Sequence, residues 1–525
     1  MQNLVDQLNA IIWSPALVYL CLASGLFFSI KTRFMQVRHI KQMLKLLKRD
    51  DKDKNSVSSF QALTISLSGR VGTGNIAGVA TAIAFGGPGA IFWMWVVAFL
   101  GAATAFIEST LGQIYKEEIN GQYRGGPAFY IEKCLNMPWA ARVFAVTTIV
   151  AAGFLLPGVQ SNSIANAIEF ASPNALMPAA DIKLLAAIVI AILLGLIIYG
   201  GTRRIARFTE LVIPTIAAIY IGVTIVVIVS HIEQLPGIFA LIFKDAFTPM
   251  AGFGAVVGWG VKRGIYSNEA GQGTGPHAAA SARVDHPAQQ GIVQAFSVYI
   301  DTLFICTATA LLILITNSYN VHAADGQFFV QHLAADIQAN GPQYTQVAIE
   351  KGIPGFGAAL VALALSFFAF TTIVAYYYIA ETNLTYLIRK TRWQTPLSSS
   401  ILKFFYIFFC FLGCIKSSQM IWGLGDIGVG VMAWLNLAAI IAIFFVSKPA
   451  IKALEDYEKQ LQLGQTQFSF SPSKLGVKNA FFWDKDQAEV TASDSSVEQA
   501  TVEQNRAEQN SAEQGSAELR PVDNN

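Results

Sequence analysis

Long apolar runs separated by short polar connections organise the chain. Eleven stand out, at about 10–30, 58–84, 88–115, 140–168, 183–200, 209–231, 247–266, 288–317, 353–386, 398–420 and 423–447. At 1.5 Å of rise per residue each is long enough to cross about 30 Å of hydrocarbon as a helix. The pattern predicts an all-α integral membrane protein with about eleven transmembrane helices. The second and seventh runs are the weakest, because glycine and polar residues interrupt them.

Composition agrees. Of 525 residues, 53% are hydrophobic and 13% charged, against about 25% charged in a soluble domain. Mean hydropathy is +0.46. A net charge of +2 excludes a strongly basic nucleic-acid binder, which needs clustered phosphate neutralisation. The five cysteines, Cys21, Cys134, Cys306, Cys410 and Cys414, are an odd number without metal-ligand spacing, so no disulfide framework is expected. No lysine or arginine precedes the first apolar stretch, which predicts a retained span rather than a cleaved signal peptide.

Charge in the connections sets the expected orientation. Residues 31–57 hold nine Lys/Arg, and further basic connections carry Arg203, Arg204 and Arg207; Lys262, Arg263 and Arg283; and Arg389, Lys390, Arg392 and Lys403. The longest connection between them, 318–352, has Lys351 alone beside Asp325, Asp336 and Glu350. Every second connection is basic, which predicts an outer N-terminus and a cytoplasmic C-terminus in the cell (inner) membrane. Residues 1–57 form an N-terminal helix and basic connection, of which 31–57 is also readable as an amphipathic helix on the anionic inner leaflet. Residues 58–447 form the core, and 448–525 a polar tail. The tail ends in a period-five repeat beginning at Val497 and is too poor in large apolar groups to fold.

The second run reads SGRVGTGNIAG, with Ser68, Arg70, Thr73 and Asn75 among its glycines. Polar groups and glycine are costly in a lipid-facing helix. Close helix packing through small residues is one explanation. The other is a broken helix whose freed amides and carbonyls hold an ion and a polar solute. Packing alone leaves Thr73 and Asn75 unexplained, which favours the broken helix. The seventh run supplies a partner, with Gly252, Gly254, Gly258 and Gly260 after Pro249. Two interrupted helices five spans apart run in opposite directions through the bilayer, the arrangement of two inverted five-helix repeats, about 58–231 and 247–447. Opposed half-helix ends present donors for a carboxylate and acceptors for an ammonium group.

Other polar residues fall within spans. Thr371 and Thr372 either bond back to their own helix or coordinate sodium with carbonyls of the second span. Gln160 is a candidate solute contact, and Phe253, Trp259 and Tyr376 candidate walls. Asp301 and Glu108 are candidate ion or proton groups, or structural partners of Arg70. His277 and His286 fall in a cytoplasmic connection without metal spacing. No GxxxxGK[ST], GxSxG or HExxH motif occurs, so neither ATP-driven transport nor an enzyme is expected.

The stretches SGRVGTGNIAGVATAIAFGGPGAIFWMW, GGPAFYIEK, GIYSNEAGQGTGPHAAA and YIDTLFICTATAL resemble the alanine/glycine:cation symporter family across roughly 58–447. The resemblance implies the leucine-transporter-type fold, five plus five inverted helices with one extra N-terminal helix. It implies a symporter importing a small neutral amino acid, alanine or glycine, with sodium co-transported; a proton-coupled transporter is the alternative. It places substrate contacts at Thr73, Gly74, Asn75, Gln160, Phe253, Gly254 and Tyr376. It places sodium at the Ser68 and Val71 carbonyls with Thr371 and Thr372. The implied partners are the amino acid and the bilayer, and a functional monomer is expected. Two departures stand out. Ala375 and Tyr376 replace the family's Gly-Trp, which changes the pocket's size limit. Gln272, Thr274 and Gly275 alter a stretch expected at the cytoplasmic side.

Overall fold

The computed structural model describes residues 2–47, 59–172, 177–200, 202–323 and 325–484. Among these, eight helices are long and apolar enough to cross a membrane, or nine if one bent pair is a single span. That pair is α1 (Gln2–Ile12) and α2 (Pro15–Lys31), meeting at 40°. Pro15 at the first turn of α2 lacks the amide that would continue α1. Short helices α3 (Met35–Arg38) and α4 (Ile40–Leu47) follow. Met43 and Leu46 of α4 are buried, so this face packs on protein rather than lying free for a lipid surface.

The second expected span is divided. Helix α5 (Ser59–Arg70) ends before Val71, and a π turn over Gly74–Gly78 leads into α6 (Val79–Gly86). Helix α7 (Ala90–Ile114) follows, then the hairpin β1 (Glu117–Ile119) and β2 (Gln122–Arg124) and α8 (Pro127–Leu135). The fourth expected span comprises α9 (Pro138–Val150), a π turn over Ala151–Leu155, and α10 (Leu156–Ala171). Helices α11 (Ala179–Ile198) and α12 (Thr202–Val229) complete a first set of five.

Helix α13 (Leu235–Phe247) precedes the second set. That set begins with α14 (Phe253–Asn268) and α15 (Gly275–Ser281). It continues with α16 (Pro287–Val298), a π turn over Tyr299–Cys306, and α17 (Thr307–Ile315). The hairpin β3 (Asn320–His322) and β4 (Phe328–Gln331) and α18 (Gln343–Gly352) intervene. Helices α19 (Gly357–Ile388), α20 (Pro396–Ile415) and α21 (Ser418–Val446) close it. Each set thus opens with a divided helix. The expected spans have helical counterparts in order, but the two divided ones are not long enough to count as spans by length and composition.

Two expectations need correction. The seventh helix does not break at Phe253–Gly260; it breaks at 269–274. Two glycines of α14 serve packing instead: a methyl group at Gly260 would lie 2.6 Å from Ala90 O, and one at Gly264 would lie 2.4 Å from Val97, whereas Gly254 and Gly258 have nothing within 4 Å of an added methyl. Lys262 and Arg263 accordingly stand within α14 and not in a connection. Arg263 binds both oxygens of Asp426 on α21 at 2.8 Å, and Lys262 Nζ lies 2.7 Å from Asp426 Oδ2.

The tail is also more ordered than expected from 448 onward. Helix α22 (Pro449–Gln462) and the chain to 484 fold back onto the face that bears the basic connections. Trp483 is buried and donates to Gln113 O at 3.0 Å. Lys116 Nζ sits 4.4 Å from the Phe482 ring centre and donates to Ala282 O. Up to 484 the segment supplies buried apolar anchors of its own, among them Leu454, Tyr457, Phe470 and Trp483. The period-five repeat lies outside the described residues.

Glu458 of α22 gathers Arg33 and Arg38 at 2.6 Å and His39 at 2.8 Å. Burial pulls its carboxyl upward, but hydrogen bonds from His39 and Arg38 outweigh that and hold it below the usual carboxylate range. Its contribution is therefore present above the unfolded value of about 4.3 and is lost as pH falls through the lower folded value. Glu458→Gln is expected to lower the thermal midpoint of the purified protein at neutral pH. The gap to wild type should close as pH falls through that window; a gap independent of pH would refute the ion-pair account.

Candidate functional site

The two helix breaks meet in the protein interior. In the first, Asn75 closes the turn: its Oδ1 accepts the Gly72 amide at 2.8 Å. The Thr73 amide donates to Gln160 Oε1 of α10 at 3.1 Å. Thr372 Oγ1 of α19 reaches Ser68 O at 2.7 Å and Val71 O at 3.3 Å, while also approaching Phe368 O at 3.0 Å. Gly72 is required by this crowding, since a methyl there would lie 2.5 Å from Thr372 Oγ1 and 2.9 Å from Gln160 Oε1. Gly74 is equally confined, 3.0 Å from Ser267 Cα by the same measure. Ser68, Thr73, Asn75, Gln160 and Thr372 are all buried, so the site is closed to both faces in this conformation.

The second break runs from Glu269 to Thr274. Glu269 is left-handed (φ 58°), and Gly271 and Gly273 both have φ 84°, a conformation that favours glycine. The amides this frees find Glu108 of α7: Gly271 N donates to Oε1 at 3.2 Å and Gly273 N to Oε2 at 3.1 Å. Asn436 Nδ2 of α21 adds a third bond at 2.7 Å. Glu108 is thus a structural anchor for the break. Gln272 reaches back to Ile265 O at 2.5 Å, and Thr274 Oγ1 donates to Glu269 Oε2 at 2.9 Å.

A third cluster joins the breaks. Asp301, in the π turn before α17, accepts from Asn75 Nδ2 at 2.6 Å, Ser267 Oγ at 3.0 Å and Thr302 Oγ1 at 2.6 Å. Arg70 Nη1 donates to Gln294 O at 3.1 Å, and its guanidinium lies in the field of Glu269, Glu108 and Asp301.

The structure therefore brings together Ser68, Val71, Thr73, Gly74, Asn75, Gln160 and Thr372. Thr371 is adjacent, but its hydroxyl bonds back to Phe368 O at 2.8 Å, the alternative weighed for it. Tyr376 is buried and its hydroxyl faces Glu269. Phe253 and Gly254 do not belong to the cluster. They begin α14 at its far end; Phe253 is 54% exposed and edge-on to Trp93, and Gly254 has nothing within 4 Å of an added methyl. Trp259 also lies apart, stacked on Phe85. Gln272 and Thr274, expected at one face, belong to the break itself. His277 is buried in α15, 2.8 Å from Asn383 Nδ2, rather than in a connection.

Glu269 and Ser267 were not expected in the site. The signal was present: SNEAGQGTGP sets a carboxylate among three glycines, the composition of a left-handed break rather than of a helix.

Gly72→Ala is expected to abolish transport while the protein still reaches the membrane, because the added methyl enters the space of Thr372 and Gln160. Gly254→Ala should leave transport close to wild type. Equal effects of the two in an uptake assay would contradict this placement of the site.

The sodium:alanine symporter family model matches residues 1–471. A Bacillus subtilis protein, YrbD, provisionally named a sodium/proton-dependent alanine carrier, is 53% identical over 93% of this chain and 98% of its own length. The sodium/proton-dependent alanine carrier protein of Bacillus sp. strain PS3 is 46% identical over 84% of this chain and 97% of its own. The sodium/alanine symporter AgcS of Methanococcus maripaludis is 33% identical over 87% of this chain and 98% of its own. With these matches spanning both breaks, the chain belongs to the sodium:alanine symporter family.

Proposed function

We propose that this protein imports alanine, or another small neutral amino acid, by symport with sodium. The observation that carries the reading is the Thr372 hydroxyl held between Ser68 O and Val71 O. Sodium needs only oxygens, and here a side chain of the second helix set meets carbonyls freed in the first. An ion at that point ties the sets together, which is what coupling requires. The Thr73 and Gly74 amides would receive the amino acid's carboxylate, with Asn75 and Gln160 beside it and Tyr376 limiting the side chain. Phe253 and Gly254 have no part in this arrangement. Thr371 supports the site through its helix rather than as a ligand.

The basic face is assigned to the cytoplasm by the positive-inside rule, with the N-terminus outside. Substrate enters from the opposite face, where Thr81 Oγ1 donates to Ala339 O at 3.2 Å and Thr345 Oγ1 approaches Ile76 O at 3.5 Å. Because the site is closed on both sides, each step needs one set of helices to move against the other. One inward sodium supplies about 2.3 kcal/mol per 100 mV of membrane potential.

The test is the sodium dependence of alanine uptake in proteoliposomes. Thr372→Ala is expected to weaken the apparent sodium affinity at least about tenfold, the scale of one lost hydrogen bond to a charged partner. Thr372→Ser should restore most of it, and Thr371→Ala should change it far less. Equal losses at 371 and 372 would reassign the ion site.

A further inference from the structure

Three carboxylates surround Arg70 in the interior, and their hydrogen-bond inventories differ. Glu108 accepts three donors, the Gly271 and Gly273 amides and Asn436. Asp301 also accepts three, from Asn75, Ser267 and Thr302. Both are provided for as anions. Glu269 accepts one bond of good geometry, from Thr274, with the Tyr376 hydroxyl as its one further donor. Its Oε1 has no hydrogen bond of good geometry, although the Tyr376 hydroxyl faces the carboxyl. Its side chain is buried. A buried carboxylate with one well-aligned donor is costly, whereas a neutral carboxyl, which can itself donate to a neighbouring hydroxyl, is less so.

Charge points the same way. The groups that act on Glu269 are Arg70 from α5, Tyr266 from α14, Thr274 at the end of the break, Asp301 from the π turn before α17, and Tyr376 from α19, while Glu108 from α7 acts on Arg70. One guanidinium stands against three carboxyls. The next cations, Lys262 and Arg263, lie beyond Tyr266 and are engaged by Asp426. Arg70 Nε and Nη2 have no hydrogen-bond partner, so Arg70 makes no bidentate pair with Glu269 in this closed state.

A cavity of about 10 Å³ adjoins the carboxyl, lined by Gly69, Glu269, Thr274, Ala278 and Ile379 among others. That is room for about one water. It lies toward α15, whose following residue, Ala282, is held by Lys116 at the basic face.

We propose that Glu269 is the proton-carrying residue of the transport cycle, neutral in the closed state and ionised when the site opens to the cytoplasm. This rests on the symport reading and adds a second coupled cation to it. From the outer side a proton from water forms the carboxyl O–H bond. On inward opening that bond breaks, the proton passes to water on the α15 side, and Arg70 balances the carboxylate left behind. Its position on the left-handed first residue of the break makes its surroundings sensitive to any movement of α15 against α14.

The experiment uses the full chain in proteoliposomes with a fixed inward sodium gradient. Labelled alanine uptake is followed from about pH 6 to about pH 8, a range wide enough to resolve a titrating coupling group, while an entrapped dye reports proton entry. Wild type is expected to lose uptake as pH rises and to show alanine-dependent proton entry. Glu269→Gln should lose the proton entry and flatten, at least about threefold, the pH profile of the sodium-dependent uptake that remains, as expected when the titrating group is replaced by its neutral mimic. Wild-type pH dependence and proton entry persisting in Glu269→Gln would overturn the proposal. So would sodium-driven uptake in wild type with no proton entry, which leaves the symport reading standing. Absence of sodium-dependent uptake in wild type would overturn both. Should Glu269→Gln fail to reach the membrane, Glu269→Asp decides: a shifted pH profile supports the role, and an unshifted one overturns it.

Discussion

Breaking a helix inside a membrane frees amides that water cannot reach, and everything at this site depends on how they are satisfied. Glu108 does this for the second break, its two oxygens taking the Gly271 and Gly273 amides. An unsatisfied polar group in hydrocarbon costs several kcal/mol, so the carboxylate and the break require each other. The same logic holds at the first break, where Asn75 and Gln160 take the Gly72 and Thr73 amides. All three side chains belong to the first helix set, so the second break is held across the two sets, by a carboxylate that moves relative to it when the sets shift, which gives a two-state element that bound ions can bias.

The helical spans and their order were legible from apolar periodicity, as was the first break; the two short hairpins in the connections were not. Thr73, Asn75 and Gln160 were legible because polar residues in an apolar run need partners. The second break was misplaced by about fifteen residues. Glycine has two uses in a buried helix, close packing and left-handed turns, and composition does not separate them. Gly260 and Gly264 have the first use and Gly271 and Gly273 the second. That error carried Phe253 and Gly254 into the site and left Glu269 out.

The neighbouring threonines show the limit of spacing arguments. Thr371 and Thr372 read alike in sequence, yet a helical step of about 100° turns one hydroxyl onto its own helix and the other onto the opposite break. The tail shows a different limit. Its composition is that of a disordered segment, but Glu458 and Trp483 find partners on elements more than 350 residues away in sequence, contacts that local composition does not reveal.

In the proposed mechanism sodium and a small neutral amino acid together complete one site between the two breaks. The direct measurement is uptake of labelled alanine into proteoliposomes bearing an inward sodium gradient, set against vesicles in which choline replaces sodium. The account predicts concentrative uptake with sodium and little above the protein-free background with choline. Equal uptake under both conditions would contradict it.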